Sequence, residues 1–186
     1  HQNDFTPPLF TEKFFGYGFS SVTLDDIPLA GKIDRIDLVD PNNQTVRVID
    51  YKTGKRKTRG QIEGNTQDSD GAYKRQLVFY QLLTDLDSSF SPKVVQTELD
   101  FVESPQQEKK TGKEVFTITQ EEVEELKNVI RSTMKDIRSL KFNRTKDYSI
   151  CQSCEFKDHC WPQGIPQYSS EQLSLLKTTD GNSKDR

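Results

Sequence analysis

Three residues on two neighbouring stretches have the types and spacing to act together: Asp34 in GKIDRIDLVD, and Asp50 and Lys52 in VRVIDYKTGK. Side chains alternate faces along a strand, so Asp50 and Lys52 share one face while Ile49 and Tyr51 share the other. PNNQ at 41–44 reads as a hairpin turn between the two stretches. If the hairpin pairs residues whose numbers sum to 84, Asp34 stands opposite Asp50, Ile36 opposite Val48 and Leu38 opposite Val46. On the other face Asp37 then meets Arg47 as an ordinary surface ion pair. Opposed carboxylates repel unless something neutralises them. A divalent cation does so, and hard oxygen ligands suit Mg²⁺ or Mn²⁺, which keep several waters and share a substrate's phosphate oxygens. Lys52 would point at the same spot, where it can orient an attacking water or offset charge developing on a scissile phosphate. Acidic and basic residues near strand ends are also common on solvated surfaces, so the pattern alone admits both readings.

A second cluster is made of thiols. The chain has three cysteines, Cys151, Cys154 and Cys160, all within ten residues. An odd, bunched set is a poor disulfide framework and reads as reduced thiols in a cytosolic compartment, acting as metal or cluster ligands. The C-x₂-C spacing also suits zinc, with His159 as a fourth ligand, although adjacent His159 and Cys160 fit poorly at one tetrahedral centre. Plain packing beside Phe156 and Trp161 is the third reading.

These residues need a scaffold. Residues 10–24 are aromatic and β-branched and read as one or two strands, with DDIP at 25–28 as a turn. Residues 29–40 and 45–53 are strands, and 54–70, polar and without periodicity, reads as a mobile loop. A helix is expected over 71–86, where Tyr73, Leu77 and Tyr80 form one stripe and Gln76, Tyr80 and Leu83 a neighbouring one. Strands follow at 93–103 and 113–118. Thr119 and Glu122 then make a capping box for a helix whose apolar face is Val123, Leu126, Ile130, Ile137 and Leu140. This order predicts a mixed α/β fold: an arm at 1–9, a core at 10–145, a cysteine segment at 146–166 and a polar tail at 167–186.

The chain of 186 residues is long enough for one domain with a real core, and only 32% of it is apolar against 30% charged. Mean hydropathy is −0.80. No apolar run approaches the ~18 residues of a membrane span, so no membrane role is expected. Nothing at the start reads as a leader, and a chain beginning at His1 reads as a piece of a longer protein. A net charge of −3 excludes a strongly basic nucleic-acid coat but not a local basic patch.

The ordered set G-x-I-D-R-I-D, then apolar-D-Y-K-T-G-K, then Q-L-x-x-Y on a helix, then three terminal cysteines, resembles the PD-(D/E)xK nucleases of the RecB/AddB type. That group includes nuclease domains fused to helicases and exonucleases carrying an iron–sulfur cluster. The resemblance covers residues 12–162 and implies a restriction-endonuclease-like α/β core, a central mixed β-sheet flanked by helices. It implies a Mg²⁺- or Mn²⁺-dependent deoxyribonuclease, an exonuclease on single-stranded ends in recombination and repair, partnered with DNA and with helicase domains in cis or in trans. Under it Asp34 and Asp50 are metal-binding carboxylates, the Tyr51 backbone carbonyl is a further ligand, and Lys52 is the catalytic lysine. Gln76 and Tyr80 line the active site, and Asp37 is structural. Cys151, Cys154 and Cys160 match three ligands of a 4Fe–4S cluster whose fourth Cys would lie upstream. The family also has a preceding helix bearing a His or Glu that reaches the metal; none is read here before residue 10.

Beside such a site, Lys55, Arg56, Lys57 and Arg59 read as contacts to the DNA backbone without base specificity. The reading from another class is a catalytically inactive scaffold that binds DNA or docks a partner. Retention of Asp34, Asp50 and Lys52 together argues against decay of the site.

Overall fold

The computed structural model describes residues 7–102, 112–145 and 148–166. The tail at 167–186 and most of the arm lie outside the described residues. The chain divides into two compact units, His1–Arg138 and Ser139–Arg186.

In the first unit, strand β1 (Phe10–Phe15) precedes a two-stranded ribbon, β2 (Thr23–Leu24) and β3 (Ile27–Pro28). Strands β4 (Gly31–Asp40) and β5 (Thr45–Lys52) follow, then helices α1 (Arg59–Glu63) and α2 (Ala72–Leu86), strands β6 (Lys93–Phe101) and β7 (Lys113–Phe116), and helix α3 (Gln120–Arg138). Five strands form one sheet in the order β1-β4-β5-β6-β7. Only β5 and β6 are parallel; the other neighbours are antiparallel. Parallel neighbours need a long crossover, and here α1 and α2 supply it.

The β4–β5 register is the expected one: Arg35 faces Ile49, Ile36 faces Val48, Asp37 faces Arg47 and Leu38 faces Val46. The pairing stops there on the open side, one rung short of Asp34 and Asp50. Strict alternation also ends near this point, since Ile33 and Ile36 are both fully buried in the same core. That core joins Val46, Val48, Leu99, Phe101 and Phe116 of the sheet to Leu77, Tyr80 and Leu83 of α2. Gly31 lets α2 come close, because a Cβ there would lie 2.6 Å from Leu83 Cδ1. A neighbouring stripe of α2, Val78 and Leu82, packs on Val123 and Leu126 of α3.

Several expectations change. Ile27 and Pro28 belong to a strand, so only Asp25 and Asp26 turn, and the two aspartates bind Arg131 at 2.8 Å and Arg138 at 2.7 Å of α3. The segment 54–70 is no uniform loop: Thr58 and Gln61 form a reciprocal capping box for α1, whose Ile62 is fully buried. A five-residue helix has too few turns to leave a periodic signal. Thr119 and Glu122 cap α3 as expected, at 3.3 and 2.9 Å. Its apolar face holds only in part: Val123 and Leu126 are buried, whereas Ile137 and Leu140 are exposed and Leu140 lies past the helix end.

Asp37 and Arg47 are no simple surface pair. Asp37 is 5% exposed and Glu98 1%, and both sit in a ladder of charges across four strands. The contacts run Arg35–Asp37 at 2.7 Å, Asp37–Arg47 at 3.5 Å, Arg47–Glu98 at 3.2 Å, Glu98–Lys113 at 3.0 Å and Lys113–Asp100 at 3.6 Å. Alternation and pairing predict the Asp37–Arg47 contact, but only the β5–β6 pairing brings in Glu98.

In the second unit, helices α4 (Tyr148–Cys151) and α5 (Lys157–Cys160) are single turns. Trp161 meets Tyr148 edge-on at 5.2 Å and lies under Arg144 at 4.9 Å. No helix among the described residues is long and apolar enough to cross a membrane.

Candidate active site

Strand β5 carries Asp50 inward beneath the N-terminal half of α2, and the carboxylate is 3% exposed. Its Oδ1 accepts hydrogen bonds from Gln76 Nε2 at 3.0 Å and from the Tyr80 hydroxyl at 2.8 Å. Gln76 Nε2 also donates to the Tyr80 oxygen at 2.7 Å, while Gln76 Oε1 accepts from Lys52 Nζ at 2.6 Å. The other carboxylate oxygen, Asp50 Oδ2, lies 2.7 Å from Lys52 Nζ. That contact is bent outside hydrogen-bond geometry, so Oδ2 is a buried oxygen with no hydrogen-bond donor. The oxygen therefore has an ammonium beside it but no donor aligned on it, and it keeps lone-pair capacity for a further cation.

Asp34 approaches from β4. Its Oδ2 accepts the Tyr51 backbone N–H at 3.0 Å, which fixes this carboxylate across the gap where the two strands cease to pair. The Tyr51 side chain is exposed on the other face, within 3.4 Å of Arg35. Burial, then the Asp50 carboxylate, pushes the Tyr80 phenol well above its ordinary pKa. Tyr80 therefore remains a proton donor that clamps Asp50 in one orientation.

The structure thus brings Asp34, Asp50, Lys52, Gln76 and Tyr80 to one end of β5. It adds a residue the sequence reading placed only in an apolar stripe. Lys52 Nζ lies over the Tyr73 ring, 5.1 Å from its centroid, and that ring packs edge-on against Phe101 at 6.2 Å. Tyr73, Gln76 and Tyr80 stand at i, i+3 and i+7, one helical face, which was the available signal.

The two carboxylates, Asp34 and Asp50, form a hard-oxygen donor set. Among the described residues no three or more His, Cys, Asp or Glu side chains converge. The set is therefore not a closed protein cage. It fits Mg²⁺ or Mn²⁺, which take one or two carboxylates and fill their remaining positions with waters and phosphate oxygens.

The basic loop is partly committed to the protein. Arg56 binds Glu114 at 2.7 Å; Arg59 pairs with Glu63, donates to the Val115 carbonyl at 3.0 Å and stacks on Phe116 at 4.1 Å. Lys55 is exposed and Lys57 half-buried. In the second unit none of the cysteines is in a disulfide: Cys151 is buried, Cys154 and Cys160 are half-buried, and His159 is exposed. The thiols do not come together as one ligand group, with or without His159.

No curated protein sequence is detectably similar to the chain. Residues 2–161 match the PD-(D/E)XK nuclease superfamily, whose members are in general nucleases and typically use divalent ions such as Mg²⁺. The mixed five-stranded sheet flanked by helices is consistent with the restriction-endonuclease-like α/β fold of that group. A match over most of the chain, on a fold of the right class, identifies the chain as a member of the PD-(D/E)XK nuclease superfamily.

Proposed function

We propose that this chain is a metal-dependent deoxyribonuclease that hydrolyses phosphodiester bonds at the Asp34–Asp50–Lys52 cluster. One observation carries the reading: the buried Asp50 has one oxygen doubly clamped and Lys52 at the other, and a second carboxylate, Asp34, is fixed at the same strand end. Asp34, Asp50 and the Tyr51 carbonyl would hold Mg²⁺ or Mn²⁺. When bound, the ion lowers the pKa of water and offsets charge on the phosphate.

The chain's own groups do the positioning. Gln76 and Tyr80 keep Asp50 from rotating, so its Oδ2 stays directed at the ion position. Gln76 Oε1 and the Tyr73 ring hold the Lys52 ammonium, which then lies where an attacking water is oriented or a developing negative charge is stabilised. Single-stranded ends as substrate, exonucleolytic action, a role in recombination and repair, and a helicase partner in cis or in trans rest on the sequence resemblance. So does backbone contact by Lys55, Arg56, Lys57 and Arg59, for which exposed Lys55 is best placed. The three thiolates do not complete a four-ligand cluster on their own, and no step depends on one.

The test is cleavage of end-labelled single-stranded DNA with Mn²⁺ by the chain and its Asp50→Asn and Lys52→Ala variants, with melting temperature followed with and without Mn²⁺. Cleavage lost in both variants, and a Mn²⁺-dependent rise in Tm that needs Asp50, support the proposal. DNA binding without cleavage and without a Mn²⁺ response identifies the inactive scaffold instead.

A further inference from the structure

A second feature lies beside the site and takes no part in the chemistry above. After β1 the chain bends sharply through Gly16, Tyr17 and Gly18, with φ of 75°, 47° and 82°. Glycine adopts this left-handed region freely, whereas tyrosine is strained there. The bend is held in place: Phe19 N–H donates to the Gly16 carbonyl at 3.0 Å and Gly16 N–H to Ser20 Oγ at 3.1 Å. A Cβ on Gly16 would lie 2.3 Å from the Leu29 carbonyl, so the bend is also packed against the segment entering β4.

This fixed bend turns rings into solvent. Tyr17 is 88% exposed, Phe19 69% and Phe14 44%. Phe14 and Phe19 stack on each other with centroids 5.1 Å apart and planes 20° from parallel. Lys32, paired with Phe14 across β1 and β4, carries its ammonium 5.8 Å from the Phe14 ring and bonds Glu12. Lys32 is two residues from Asp34 on the same strand, about 7 Å along it.

Aromatic faces next to a cation, beside a site for phosphodiesters, have the chemistry that unpaired nucleobases recognise. Each base offers a π-face whatever its sequence, and bases inside a duplex already stack on their neighbours. We infer that Phe14 and Phe19, with Lys32 beside them and Tyr17 at the tip of the bend, form a stacking platform for unpaired bases of the strand being cut. The inference rests on the nuclease reading for its substrate and supplies the physical basis of a preference for single strands.

The experiment measures binding apart from cleavage. A fluorescent single-stranded oligothymidylate carrying one 2-aminopurine is titrated with the chain in EDTA and compared with a blunt duplex. The Phe14→Ala/Phe19→Ala double variant should bind the single strand about tenfold more weakly and lose the 2-aminopurine quenching. Its Tm and the salt dependence of binding should stay unchanged, since no cation is removed. The Phe14→Trp/Phe19→Trp variant, which keeps the faces, should retain both signals. Unchanged affinity in the alanine variant overturns the platform, as does an equal loss toward the duplex. A wild-type dimer that the alanine variant dissociates on size exclusion would make the patch a self-association surface and overturn it too. Wild-type cleavage with Mn²⁺ separates the two claims. Cleavage with phenylalanine-independent binding removes the platform alone, and phenylalanine-dependent binding without cleavage removes the nuclease reading alone.

Discussion

On the face of the sheet turned to α2, Asp34 and Asp50 stand against one ammonium, Lys52; on the reverse face, Arg35, Asp37, Arg47, Glu98, Asp100 and Lys113 alternate in sign, three of each. Both clusters hold nearly inaccessible carboxylates, Asp50 at 3% and Glu98 at 1% exposure. They differ in balance. Each charge on the reverse face meets an opposite one, and Glu98 lies between two cations. The site face carries a surplus negative charge; a buried carboxylate oxygen without a hydrogen bond occurs on both faces, Asp50 Oδ2 beside Lys52 and Glu98 Oε1 beside Lys113. Buried charges that balance are a structural device, whereas a buried surplus is destabilising unless a cation or substrate joins it.

Substitutions should separate the two faces. The largest effect is on chemistry: Asp50→Asn should lower cleavage of single-stranded DNA on the order of 10³-fold and change stability by less than about 1 kcal/mol. Glu98→Gln should do the reverse, costing about 3 kcal/mol in urea denaturation because it leaves Arg47 and Lys113 without their shared carboxylate. Its cleavage rate per folded molecule should equal wild type. The contrast breaks if Glu98→Gln abolishes cleavage in a folded protein, or if Asp50→Asn unfolds.

A finer division lies within the site face, between groups that hold Asp50 and groups that hold Lys52. Tyr73→Leu removes only the ring under Lys52 and should reduce kcat about tenfold with KM nearly constant. Tyr73→Phe keeps the ring and should restore most of the rate. Equal losses in the two variants would mean that the hydroxyl, not the ring face, matters.

The smallest effect belongs to a carboxylate in neither cluster. Asp85 lies at the surface, yet partial desolvation of its carboxyl raises its pKa despite a 2.8 Å hydrogen bond from Gln81. A raised folded-state pKa means a contribution to stability that is full below the unfolded value of 3.8 and is lost as pH rises through the folded value. Asp85→Asn does not titrate, so it should be slightly more stable than wild type at pH 7, an effect that solvent screening keeps small, with the gain shrinking toward pH 4. A gain that persists unchanged at low pH would assign it to packing.

How legible the molecule was depends on the range of the contacts. Turn position and two-residue alternation placed Ile36 opposite Val48 and Leu38 opposite Val46, because a hairpin's register follows from its loop. The capping box of α3 was legible for the same reason: both partners lie within four residues. The helix α1, too short to show a period, was not. Nor were the contacts of Arg56 and Arg59 with β7, more than fifty residues away.

The sequence by itself determined the order of the longer strands and helices, the β4–β5 register as far as Arg35 and Ile49, and the placing of Asp34, Asp50 and Lys52 near one strand end. All three follow from local geometry, in which neighbours along the chain or across a tight turn have few arrangements open to them. The resemblance named Gln76 and Tyr80 as lining the site, but only the tertiary structure decided which atom each one holds. Pairing β5 parallel to β6 sends α2 across the sheet and sets Gln76 and Tyr80, 26 and 30 residues from Asp50, onto the same carboxylate oxygen. It also sets Glu98 between Arg47 and Lys113 on the reverse face. Such contacts depend on how a whole layer packs, so no window of sequence contains them.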